Sequence, residues 1–441
     1  MKSFKQVAAA SGLLLTAWAF PAAAGGLTFS TNSLAVGGMP ACVIATDING
    51  DGKPDLACVN SLDNSVTVLT NNGSGGFNLS ATLNVGGSPV CLTAADVDGG
   101  NQADLVCVNS GSDTLTVLTN SGGGNFGFKT SLSLASGSGP DSVAVADFNG
   151  DGKLDLVCAN LNNSTLSVFT NQGDGTFALN TTNAVGDFHY WVTAADVNGD
   201  SHPDIICVNA FAGTLTVLTN NGSGIFGSNA TLVVGSRPYY VLAADFNGDP
   251  RPDLACANYS DGTITVYTNS AAGGFGLKGT FTVGTGPNSL TAADVNGDGK
   301  PDLICADSYA ATLTVLTNAG DGTFGYNTTL NVASSPFSVA AADFNGDGKI
   351  DLVSANFGDN SLTLLTQPVT GVPGLTIAWT GSNTVQVSWP LDVGAGFVLQ
   401  TNTDLTTTNW GASTYPVSTN GLTASITVSP NTRKMFFRLA K

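Results

Sequence analysis

Asp47-Ile48-Asn49-Gly50-Asp51-Gly52-Lys53-Pro54-Asp55, running on into Leu56-Ala57-Cys58-Val59-Asn60, is a phrase this chain writes seven times. Its first aspartate returns at Asp96, Asp147, Asp196, Asp245, Asp294 and Asp343, at intervals of 49, 51, 49, 49, 49 and 49 residues. A fixed period of this size marks a repeat architecture, in which one supersecondary unit stacks on copies of itself. The runs between the loops are short and rich in Val, Leu and Thr, as strands are. No stretch holds a 3.6-residue apolar period, so an all-β chain is expected.

The third copy shows what one unit contains. Ser142-Val143-Ala144-Val145-Ala146 enters the loop at Asp147, and Leu156-Val157-Cys158-Ala159 leaves it. A short turn leads to Leu166-Ser167-Val168-Phe169-Thr170, and a glycine-rich turn, Asn171 to Phe177, leads to a fourth run through Thr181 to Val185. Four short strands joined by tight turns make one antiparallel sheet, and such sheets repeated radially are propeller blades.

Within the loop the oxygen spacing is that of a calcium site. Ca²⁺ takes six to eight oxygens at about 2.3–2.6 Å, supplied by loops from alternate positions. Positions 1, 3, 5 and 9 are Asp47, Asn49, Asp51 and Asp55 in the first loop. They are Asp147, Asn149, Asp151 and Asp155 in the third, and Asp196, Asn198, Asp200 and Asp204 in the fourth. The fifth has Asp245, Asn247, Asp249 and Asp253, the sixth Asp294, Asn296, Asp298 and Asp302, and the seventh Asp343, Asn345, Asp347 and Asp351. The second offers Asp96, Asp98 and Asp104 but has Gly100 at position 5, so it is expected to be the weakest of six or seven Ca²⁺ sites. Position 7 gives only its main-chain carbonyl, so His202 there is expected to point into solvent. Pro250 puts the wrap of loop five in question.

Composition agrees. All 32 acidic residues are aspartate, and 21 of them lie in these loops. The net charge of −18 becomes −20 if Lys2 and Lys5 are removed, and about −6 with seven Ca²⁺ bound. The surplus acid therefore reads as ligand rather than as a repelling surface, and no basic stripe announces nucleic acid. Residues 1–24 combine Lys2 and Lys5, an apolar run from Val7 to Phe20 and Ala22-Ala23-Ala24, the layout of a secretory signal peptide. No other apolar run approaches membrane-spanning length. A secreted or cell-surface monomer is expected.

The loop and the downstream Asn-x-Gly-x-Gly-x-Phe turn resemble the FG-GAP/VCBS repeat family, which includes the integrin α-subunit propeller, over residues 27–366. That resemblance implies a seven-bladed β-propeller with calcium in the loops between strands one and two. The last copy stops at Gln367-Pro368 without a fourth strand, whereas Leu27 to Gly37 matches fourth strands such as Asn78 to Gly86. The N-terminal strand is thus expected to close the ring. Residues 367–374 form a turn-rich linker, and 375–441 alternate like the strands of a small β-sandwich, similar in layout to fibronectin-III-like modules.

Cys58, Cys107, Cys158, Cys207, Cys256 and Cys305 share one repeat position, where small apolar side chains pack. Cys42 and Cys91 lie five residues before a loop, which leaves Cys42–Cys58 and Cys91–Cys107 disulfides open. Only His189 and His202 are histidines, and no GxSxG or HExxH occurs, so no enzyme is expected. Aromatic residues gather instead at the turns opposite the loops. His189, Tyr190, Trp191, Phe211, Arg237, Tyr239, Tyr240, Tyr259, Tyr309 and Phe357 are the candidate contacts for a carbohydrate or extracellular protein. Two readings stand against this one: Trp191 and Tyr240 simply plug a channel, or the chain is purely structural.

Overall fold

The computed structural model describes residues 27–186, 190–270 and 274–368, with the segments 5–8, 14–17, 376–381, 384–390, 398–402, 411–420, 423–428 and 436–440. The chain divides into two units, Phe29–Thr366 and the pair Met1–Thr28 with Gln367–Lys441. Among the described residues there is no α-helix, and one 3-10 turn lies at Ser110–Ser112. Among those residues no helix is long and apolar enough to cross a membrane.

In Phe29–Thr366 the first sheet sets the pattern. Pro40–Thr46, Asp55–Asn60, Ser65–Asn71 and Phe77–Asn84 lie side by side in chain order, each antiparallel to the next. Five more four-stranded sheets follow, with first strands starting at Pro89, Pro140, Val192, Pro238 and Pro287. A further sheet takes Pro336–Ala342, Asp351–Asn356 and Ser361–Thr366 from one end of the unit and Ser30–Ala35 from the other. Ser30 lies opposite Thr366 and Ala35 opposite Ser361. The chain is therefore built as a repeat β-propeller.

Burial explains the sequence pattern. Every residue of each second strand, such as Asp55–Asn60, is buried, so these strands read as continuous apolar runs. Fourth strands such as Phe77–Asn84 alternate between exposed and half-buried positions. Each core cluster joins successive sheets: Phe148, Val157 and Val168 of the third pack with Val192, Ile205 and Leu218 of the fourth. The first sheet packs in the same way with the last, Val43, Leu56 and Leu69 meeting Phe344, Val353 and Leu364.

The register corrects the cysteine reading. Cys42 lies opposite Val59 and Cys58 opposite Val43, while Cys91 lies opposite Val108 and Cys107 opposite Leu92. A one-residue offset turns side chains to opposite sheet faces, so neither disulfide forms; all eight cysteines are free and buried.

In the second unit, Thr376–Gly381, Thr384–Pro390, Thr423–Val428 and Ser418–Asn420 form one sheet, and Gly411–Ala412, Val398–Asn402 and Phe436–Ala440 another. Val387, Trp389, Leu399, Ile426, Val428 and Phe437 are buried. The expected linker lies outside the described residues beyond Pro368. Of residues 1–24, Lys5–Ala8 and Leu14–Ala17 are described, as an antiparallel pair.

Candidate functional site

Each Asp-rich loop folds around its first carboxylate. Asp47 Oδ1 accepts the N–H groups of Gly50 (2.8 Å) and Asp51 (3.2 Å), and Oδ2 accepts that of Gly52 (2.8 Å). Asn49 Oδ1 accepts from Asp51 N and Asp51 Oδ1 from Lys53 N. The same set recurs at Asp147, Asp294 and Asp343. Position 6 must adopt a left-handed conformation: Gly52 has φ 81°, Asn101 57° and Ser201 70°. Pro250 can neither reach that φ nor donate an N–H. In loop five Asp245 Oδ1 accepts from Asn247 and Gly248 instead.

Position 9 has a second role that the ligand spacing alone does not reveal. Asp55 is fully buried; its Oδ2 accepts from Ile48 N (3.0 Å) and Asn49 N (3.2 Å), and its Oδ1 from Asn71 N (2.7 Å). It ties the loop to the end of the third strand, as do Asp104, Asp155, Asp204, Asp253 and Asp302. Burial pushes these carboxyls up, Asp302 to about 6, against the pull of the backbone donors.

The oxygen set fits a hard cation. In loop two, oxygens of Asp96, Asp98 and Asp104 lie within 4.8 Å of one another. Two ligands on opposite sides of one Ca²⁺ stand about 4.8 Å apart. Asp98 at position 3 thus offsets the missing oxygen of Gly100. In loop seven Asp347 Oδ2 is buried without a hydrogen-bond partner, with Lys349 as its nearby positive charge. Lys53 Nζ stands 3.3 Å from Asp51 Oδ2, an exposed pair of little energetic weight. His202 is half-buried, its ring lying beside Gly222 of the glycine-rich turn.

A residue the sequence reading passed over binds sheet to sheet. In six of the seven sheets the Asn at the end of the third strand donates to the loop carbonyl of the preceding sheet. Asn120 reaches Ile48 O (2.8 Å), Asn171 Val97 O (2.8 Å), Asn220 Phe148 O (2.8 Å), Asn269 Val197 O (2.6 Å) and Asn318 Phe246 O (2.9 Å). Asn71 of the first sheet reaches Phe344 O of the last (2.9 Å). Its signal was the Asn that opens the Asn-x-Gly-x-Gly-x-Phe turn, present in six copies and replaced by Gln367 in the seventh.

The aromatic candidates form two groups. Tyr190 stacks on Tyr239 with ring centres 4.0 Å apart, Tyr239 on Tyr259 at 4.8 Å, and Tyr259 meets Tyr309 at 5.4 Å. Arg237 lies over the Tyr259 ring, and Tyr309 is 74% exposed. Phe211 is exposed in the corresponding turn of the fourth sheet. Trp191 stacks on Tyr240 at 4.1 Å, and Phe357 on Phe337 at 4.5 Å. His189 lies outside the described residues. Tyr190, Trp191, Tyr239, Tyr240 and Phe357 all line one cavity, joined there by Asp141, Asn288 and Phe337, which sequence reasoning missed. Those three occupy the residue after the first-strand proline, in register with Tyr239.

Four-stranded repeats with this loop define a repeat β-propeller. The chain belongs to the FG-GAP-like repeat family, whose model matches residues 47–107, 96–158, 147–207, 196–256, 245–305 and 294–354. No curated protein sequence matches it significantly. Among solved structures, BBS1N in complex with ARL6DN is similar with TM-score 0.56 and 13% identity, over 78% of this chain and 98% of that one. A virginiamycin B lyase from Staphylococcus aureus, crystallised with quinupristin, is similar with TM-score 0.54 and 15% identity, over 77% and 99%. At such identities the likeness is one of fold.

Proposed function

We propose that this chain is an exported, calcium-stabilised binding platform. Its seven sheets are the blades of one ring, closed by Ser30–Ala35 and followed by a small fibronectin-III-like sandwich. The closure rests on two contacts already described: Asn71 meets Phe344 just as Asn120 meets Ile48, and the first and last sheets share a core cluster. Calcium would be held by positions 1, 3, 5 and 9 and the carbonyl of position 7. Bound there, it neutralises carboxylates that are otherwise crowded without a counter-charge.

The observation that carries the binding role is the Tyr190-Tyr239-Tyr259-Tyr309 strip, which runs across three blades and ends exposed beside Arg237. Rings of this kind combine apolar area with a polar tip, which suits a carbohydrate or an extracellular protein. The complex of BBS1N with ARL6DN is an instance of this fold with a protein bound. The experiment is a glycan and extracellular-protein array probed with wild type and the Tyr259→Ala/Tyr309→Ala variant. Binding that survives the double substitution places the site elsewhere, and silence on both arrays favours a purely structural role.

A further inference from the structure

A cavity of about 640 Å³, open on one side, is lined mainly by the first strands of the sheets, within the size range of small-molecule sites. Several of its polar groups are already used. Ser338 Oγ accepts Val43 N and donates to Val43 O, and Ser289 Oγ accepts Val339 N. Ser61 Oγ donates to Pro89 O, and Asn288 Nδ2 donates to Phe337 O. Besides the Thr93, Thr291, Tyr190, Tyr239 and Tyr240 hydroxyls, two stronger acceptors remain. Asn288 is 9% exposed, and its Oδ1 is buried with no partner. Asp141 is the one charged side chain on the wall, and no lysine, arginine or described histidine lines it.

A carboxylate enclosed by aromatic faces with no counter-ion wants a cation. The wall specifies which kind. Ca²⁺ needs six to eight oxygens, and one carboxylate with one amide oxygen falls far short. A neutral sugar would leave the Asp141 charge uncompensated. Aromatic faces, by contrast, attract a diffuse organic cation. We infer that this cavity binds a small alkyl- or quaternary ammonium ion, its charge on the Asp141 carboxylate and its carbon surface on Tyr190, Trp191, Tyr239 and Tyr240. The site shares Tyr190 and Tyr239 with the exposed strip but does not depend on that strip's ligand.

Burial alone holds Asp141 protonated up to about 7. The titratable groups that face it are the Tyr239 hydroxyl and the Cys91 and Cys158 thiols, which burial and neighbouring groups keep neutral. Affinity for a cation therefore rises as pH rises through this window, because only ionised Asp141 attracts it.

The test is calorimetric titration of the full chain with choline and with its neutral isostere 3,3-dimethyl-1-butanol. Choline is expected to bind saturably at about pH 8, at least about tenfold tighter than the isostere. About tenfold should be lost at about pH 5 and in Asp141→Asn, and nothing in Tyr259→Ala/Tyr309→Ala. Equal binding of the isostere, no saturable binding of choline, or binding indifferent to both pH and Asp141→Asn overturns the inference. The wild-type pH series decides the matter even if Asp141→Asn fails to fold. Loss of choline in the Tyr259/Tyr309 variant would move the site to the strip.

Discussion

Replacing Asn220 with alanine tests the bond between successive sheets. Asn220 is 3% exposed, and its amide makes four hydrogen bonds. Nδ2 donates to Phe148 O (2.8 Å) across the sheet boundary and to Pro203 O (3.1 Å), and Oδ1 accepts from Gly222 N (3.1 Å) and Gly224 N (3.2 Å). Truncation orphans two carbonyls in a buried setting, each costing about 1–3 kcal/mol, while the glycine N–H groups lie nearer to solvent. The expected loss is about 2–4 kcal/mol. For a unit of this size that shifts Tm by roughly 2 °C per kcal/mol, or about 4–8 °C. Asn220→Asp should be worse, because it sets a buried carboxylate against both carbonyls. Differential scanning calorimetry of wild type and both variants gives the answer. An alanine variant that melts with wild type, or an aspartate variant more stable than alanine, would refute the idea that this amide holds the sheets together.

Chelation of Ca²⁺ should lower Tm, since a site occupied at a hundredfold over its Kd contributes about 2.7 kcal/mol. An identical melting curve in excess chelator would remove calcium from the account, and native mass spectrometry counts the ions bound. Stability should fall as pH rises from about 4 through about 7 on account of Asp141. Its folded pKa is raised to about 7 by burial, so the native state binds more protons than the unfolded chain in that window. Asp141→Asn should flatten that part of the denaturation profile, and an unchanged slope would count against it. A thiol reagent should find no reactive cysteine in the native protein and eight after unfolding, because all eight are free and buried out of its reach; burial also raises the thiols other than Cys42, which its neighbour Cys91 lowers. Six after unfolding would mean that Cys42 and Cys91, whose thiols hydrogen-bond across the first and second sheets, had oxidised together.

The period and the loop chemistry were legible because both are local. Strand alternation, the left-handed glycines and the oxygen spacing each live within about ten residues. Contacts across a sheet boundary were not. Asn220 reads as a turn residue until Phe148 O is beside it, 72 positions away. Asp155 reads as one ligand among four, although its Oδ1 also holds Asn171 N. Asp141, Asn288 and Phe337 look unremarkable in their own strands and become a wall only when first strands converge. The Cys42–Cys58 pairing failed on a one-residue offset, which sequence distance cannot resolve.

The pairing of Ser30–Ala35 with Ser361–Thr366 has a kinetic consequence. The hydroxyls of Ser30 and Thr366, 336 positions apart in the chain, meet at 2.6 Å. Bringing such distant segments together costs roughly 5 kcal/mol in loop-closure entropy, against about 2 kcal/mol for a hairpin of ten residues. Of the strands in these seven sheets, the one synthesised earliest is thus expected to find its partner last, after the intervening sheets have formed. Until then Ser361–Thr366 presents a bare edge that another chain can occupy. Two molecules emerging together would trade these strands, and dilution during refolding should raise the yield of single chains.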